Sequence, residues 1–122
     1  MDPDRQRQLQ IVVVGPCAAG KSTLVDGLHA RGFDKARVVA QEHSGVRDLW
    51  KVRGQPDCLI YLDARLETIA ARQHRSDWTL EYLAELLDRL KNARAECNLY
   101  LPTDELSIEE VLDIVIERLK EK

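Results

Sequence analysis

Eight residues constrain this chain more than any other stretch: Gly15, Pro16, Cys17, Ala18, Ala19, Gly20, Lys21 and Ser22. They fit the pattern G-x-x-x-x-G-K-[ST] at every fixed position. Residues 9–14 precede them as an apolar, β-branched run, and residues 22–31 follow with Leu24, Val25 and Leu28 at helical spacing. The glycines therefore sit between a strand and a helix, the context in which this spelling has a chemical meaning. Backbone N–H groups and the positive end of a helix suit a polyphosphate. Gly15 and Gly20 let the chain turn tightly with no Cβ between backbone and anion. Lys21 would reach the β- and γ-phosphates, the Ser22 hydroxyl would ligate Mg²⁺, and residues 15–22 together with Thr23 would bind the nucleotide. The alternative is a glycine turn followed by a surface lysine and serine.

The 122 residues suffice for one domain with a core, yet are few for a nucleotide kinase. Hydrophobic residues make up 44% and charged residues 32%, the balance of a globular protein. A net charge of -3 argues against non-specific binding to nucleic acid or to anionic membranes, both of which require a basic face. Residues 1–8 are polar and read as a flexible tail, and no window approaches 18 apolar residues, so a cytoplasmic protein without membrane partners is expected. Cys17, Cys58 and Cys97 are odd in number and share no metal-ligand spacing, so neither a disulfide framework nor a zinc site is indicated and reduced thiols are expected. Cys17 lies inside the glycine loop, where the helix terminus and Lys21 could lower its pKa.

Strands are expected at 9–14, 37–40, 58–63 and 98–101, with the second short and nearer an edge. Helices are expected at 22–31, at 44–53 with Val46, Leu49 and Trp50 on one face, at 67–75, from Ser76 to about residue 95, and at 108–119 behind a capping box at Ser107 and Glu110. Leu80, Leu83, Leu87 and Leu90 would form the buried stripe of the long helix, and Ile108, Val111, Leu112, Val115 and Leu119 that of the last. This alternation predicts the α/β class: a single domain, a three-layer α/β/α sandwich around a mostly parallel sheet of about four strands. A ligand would sit at the carboxyl ends of the strands, where the 15–22 loop, Glu42 and His43, Asp63, and the turn of Thr103, Asp104 and Glu105 converge.

In these segments the chain resembles the P-loop kinases of nucleoside monophosphates, deoxynucleosides and shikimate. The likeness rests on residues 11–28, on residues 59–63 followed by 67–72 and Arg75, and on residues 99–104 running into 107–119. It implies the P-loop nucleoside triphosphate hydrolase fold, ATP and Mg²⁺ as ligands, and a small-molecule phosphate acceptor. Arg72 and Arg75 match the arginines that grip the donor phosphates, and Thr103 and Asp104 match the turn beside adenine. Guanidinium forks suit phosphate oxygens and would stabilise the transferred group, although a solvated helix face is the alternative. Asp63 looks like a Walker B carboxylate serving Mg²⁺, or else a turn aspartate. Glu42 falls where deoxynucleoside kinases place an acid that accepts the substrate proton, or is simply a solvated glutamate. Arg47 and Arg53 could meet an anionic acceptor.

The chain departs from these kinases between the second strand and Asp63, where about a dozen residues replace the acceptor-binding segment. The leading expectation is a small Mg-dependent phosphotransferase acting near Glu42, Arg47 and Trp50. A regulatory nucleotide-binding module or slow NTPase is the second, and apolar surface left by the missing segment could drive homodimer formation. A small GTPase is disfavoured, because no N-K-x-D or D-x-x-G signature is present.

Overall fold

A computed structural model describes residues 3–75 and 77–121. Four strands, β1 (Ile11–Val14), β2 (Ala36–Val38), β3 (Cys58–Asp63) and β4 (Leu99–Pro102), form one parallel sheet in the order β2-β1-β3-β4. Ile11 pairs with Ala36 on one side and Cys58 on the other, and Ile60 pairs with Leu99. The apolar runs of β1 and β3 are buried on both faces, as parallel strands flanked by helices require. β2 is an edge strand of only three residues, as its weak signal suggests.

Side chains alternate between two cores. Ile11, Val13, Cys58, Ile60 and Leu62 face a layer formed with α2 (Lys21–Ala30), α3 (Leu66–Arg72) and α5 (Ile108–Leu119). Val12, Val14, Leu59 and Tyr61 face α4 (Leu80–Glu96) and the wholly buried Trp50. The architecture is thus α/β, with helical layers on both sheet faces. Gly27 allows α2 to approach α5, since a Cβ there would lie 3.1 Å from a Leu112 methyl. Among the described residues, no helix is long and apolar enough to cross a membrane.

Several boundaries differ from those read in the sequence. The expected tail contains a helix, α1 (Pro3–Gln8), with Asp4 in its first turn and Arg5 and Arg7 in its last, complementing the helix dipole. Gln6 Nε2 donates to the Arg31 carbonyl at 3.2 Å, and Leu9 is buried, so this helix is tied to the end of α2. The helix expected at 44–53 is reduced to one 3-10 turn, Leu49–Lys51, and a second such turn, Gln41–His43, precedes it. Asp48 adopts a left-handed conformation at φ 58° between them, which stops a helix from running through. Val46 is 55% exposed, whereas Trp50 is wholly buried and Leu49 packs half-buried against the same core.

The buried stripe of α4 is Leu86, Leu90 and Ala93; Leu80 is 72% exposed, and Leu83 and Leu87 are half-buried. Ser76, the expected start of that helix, lies outside the described residues, and Thr79 is the cap, accepting from Tyr82 N. In α5 the capping box forms as expected, but Ile108 is 67% exposed and Val111, Val115 and Leu119 hold the core.

Candidate functional site

β1 delivers the chain into residues 15–22 at the carboxyl end of the sheet. Gly15 has φ +148°, and a Cβ there would clash with the Leu62 carbonyl oxygen of β3 and lie 3.0 Å from the carbonyl carbon. Only glycine lets the loop leave β1 so close to β3. Ala18 at φ 59° and Gly20 at φ 102° are also left-handed, while Pro16 is buried and accepts a 3.4 Å hydrogen bond from Ala19 N. α2 then starts at Lys21 with no side-chain cap and no acid in its first turn. Its first N–H groups, which no helix can satisfy internally, are left to other partners. Ser22 and Thr23 are exposed on this turn.

The Lys21 side chain is 10% exposed. Its ammonium donates to the Gly15 carbonyl at 2.6 Å and pairs with Glu42 Oε2, so it closes across its own loop. Glu42 is 2% exposed, which removes the solvated reading, and its Oε1 is buried with no hydrogen-bond partner among the described residues. Two residues that sequence reasoning missed aim the 3-10 turn that carries it. Gln41 is buried, donating to the Val46 carbonyl at 2.8 Å and accepting from Trp50 N at 3.1 Å, and Arg89 of α4 donates to the Glu42 carbonyl at 3.1 Å. The signal for Arg89 is its place on α4, three residues after Leu86 and next to Leu90, at the margin of the buried stripe.

Cys17 Sγ lies 3.2 Å from His43 Nε2. Burial and the nearby Glu42 carboxylate push the thiol up and outweigh Lys21, against the lowered pKa that the loop position could have given and in keeping with the reduced thiol expected.

Thr103, 3% exposed, ties the loop to the turn after β4. Its hydroxyl lies 2.8 Å from the Ala19 carbonyl and 3.1 Å from the Asp63 carbonyl, which share its proton. Arg72 completes the tie, donating Nη1 to the Ala18 carbonyl at 2.8 Å and to Thr103 Oγ1 at 3.1 Å, and Nη2 to the Thr103 carbonyl at 2.7 Å. Arg75 does not share its helix face. α3 ends in a Schellman turn, with His74 left-handed at φ 53° and Arg75 N reaching the Ala70 carbonyl at 3.0 Å. The Arg75 guanidinium instead forks onto Asp77 at 2.9 and 2.8 Å and lies 5.5 Å from the Trp78 ring.

Both oxygens of Asp63 are engaged beside β4, Oδ1 by Ala64 N at 2.9 Å and Oδ2 by the Tyr100 hydroxyl. Asp104 accepts from Arg65 N at 2.8 Å; burial raises its carboxyl, but bonds from Thr68 and Arg65 hold it below the usual range. Thr103 thus lines the loop side of this turn, and the Asp104 carboxylate is committed to Arg65.

A cavity of about 590 Å³ opens beside the loop, lined by Ala18, Thr23, Arg72, Thr103, Leu106 and Ile108 among others. A smaller one of about 250 Å³ lies between the 41–47 segment and α4, with Arg47, Arg89 and Lys91 on its walls. Trp50, expected near an acceptor, is fully buried and cannot touch one. No protein-family model matches this sequence, and no curated protein shows significant similarity to it.

Proposed function

We propose that the chain binds a nucleoside triphosphate with Mg²⁺ on residues 15–22 of a P-loop type fold and transfers its terminal phosphoryl group to a small acceptor. One observation carries this reading: a buried ammonium, Lys21, stands at an uncapped helix N-terminus inside a loop whose first residue can only be glycine. Such an arrangement suits a group that brings several negative oxygens. The base would enter the apolar cavity between Ala18, Thr23, Leu106 and Ile108, with Thr103 at its wall. Lys21 would shift from Glu42 to the phosphates, and Glu42 would then be free to take the acceptor hydroxyl's proton. Ser22, exposed on the first turn, would hold Mg²⁺, which neutralises charge on the transferred group. Arg47 and Arg89 beside the smaller cavity would favour an anionic acceptor.

The shortness of the segment between β2 and β3 favours a second reading, a regulatory nucleotide-binding module that signals to a protein partner. That segment holds two 3-10 turns and leaves Val52 67% exposed. Calorimetric titration with ATP and GTP, with and without Mg²⁺, tests the common part. Lys21→Ala should lose at least about tenfold in affinity, the worth of one charge-assisted contact. Absence of uptake of either triphosphate would refute both readings. ADP release that no added nucleoside, nucleotide or small alcohol stimulates would select the module.

A further inference from the structure

We propose that Cys17, Glu42 and His43 form a site for one thiophilic divalent cation of the Zn²⁺ class, at the mouth of the 15–22 loop. One ligand atom from each of the three lies within 4.8 Å of the other two. Cys17 Sγ and His43 Nε2 are already 3.2 Å apart. A Zn²⁺ that holds sulfur at about 2.3 Å and nitrogen at about 2.0 Å in tetrahedral geometry sets them roughly 3.5 Å apart, so this pair needs only a small opening and the carboxylate a swing inward.

Glu42 points to a cation independently of that spacing. Its side chain is 3% exposed, Lys21 occupies only Oε2, and Oε1 is buried with no hydrogen-bond partner among the described residues. A buried carboxylate oxygen without a donor is costly, and a metal ion would satisfy it. The charges are compatible: thiolate and carboxylate offset a double positive charge that must otherwise coexist with Lys21 and Arg75, whose charges act on Cys17. His43 is exposed, which provides an entry path and leaves a fourth position to water. Sulfur with imidazole selects Zn²⁺, Co²⁺ or copper and disfavours Mg²⁺, which demands oxygen ligands. A bound ion would pin the loop to the turn after β2. The site does not depend on nucleotide binding, and an ion held there would withdraw Glu42 from the base role proposed above.

The test is titration of the reduced, untagged protein with Co²⁺ and with Zn²⁺ against a chromophoric chelator, without nucleotide. One ion per chain is expected, with the intense near-ultraviolet band of cobalt bound to thiolate. Cys17→Ser should abolish that band. His43→Ala, a change at an exposed side chain, should weaken Zn²⁺ binding by at least about tenfold, the size of effect seen even for residues that only support a ligand. His29→Ala should leave affinity unchanged, because that imidazole is engaged with the Ala36 carbonyl at 2.7 Å. Failure to bind one ion, a cobalt–thiolate band that survives Cys17→Ser, or equal weakening by His29→Ala and His43→Ala would overturn the assignment.

Discussion

Gly15→Ala is the sharpest perturbation available to this fold. The new methyl would strike the Leu62 carbonyl oxygen of β3, with the carbonyl carbon at 3.0 Å and the Leu62 nitrogen at 3.4 Å, and backbone of a central strand cannot rotate away as a side chain can. Holding an alanine at φ +148° costs about 1–3 kcal/mol, and forcing a methyl into a packed interior costs about 1–3 kcal/mol more. With an unfolding entropy near 2.1 cal/mol/K per residue, each kcal/mol lowers Tm by about 4 °C in a chain of 122 residues, so the sum corresponds to about 8–23 °C. Gly20→Ala is the internal control. Its φ is +102°, but a Cβ there meets nothing within 4 Å, so only the backbone cost of about 1–3 kcal/mol applies, or about 4–12 °C. Thermal unfolding followed by circular dichroism, with urea titration for the free energies, measures both. A Gly15→Ala protein that melts no lower than Gly20→Ala would show that the loop does not leave β1 against β3 as described.

Two further outcomes follow from the same geometry. Lys21→Met leaves the Glu42 carboxylate buried without its cation and should cost about 3–5 kcal/mol, whereas the double variant Lys21→Met with Glu42→Leu should recover much of that loss; additive losses in urea titrations would mean the two side chains are not coupled. Asp104 has a carboxyl pKa lowered in the folded state, so its contribution is full above the unfolded pKa near 3.9 and is lost as pH falls through the lower folded value. The stability gap between the wild type and Asp104→Asn should therefore be constant above about pH 5 and shrink below about pH 4; a gap that widens with acid contradicts the sign.

The parts of the fold legible in the sequence are those governed by local chemistry. The continuous apolar runs of β1 and β3 announce strands covered on both faces, and Ser107 with Glu110 writes its capping box in four letters. The stripe of α4 was misread because leucines occur around much of that helix, and the sheet selects Leu86, Leu90 and the small Ala93. The helix at 44–53 failed because Gln41 satisfies the backbone at Val46 and Trp50 from outside, making a non-helical path as good. The 15–22 loop could be read from spacing alone, but the burial of Glu42 is set by Lys21 and by Arg89, the latter 47 residues away. The resemblance puts Arg72 and Arg75 on the same phosphates, but the left-handed His74 between them ends the helix and turns Arg75 away.

The Thr103 hydroxyl bridges backbone from two segments far apart in the chain, at Ala19 and Asp63, and receives Arg72. Because one hydroxyl serves all of them, the tip of the loop and the start of the last crossover are mechanically geared. A shift at Ala18 or Ala19 reaches the residues leading into α5 through only the Thr103 hydroxyl and the Arg72 guanidinium, so occupancy at one end of the sheet should be legible as altered amide exchange in the C-terminal helix.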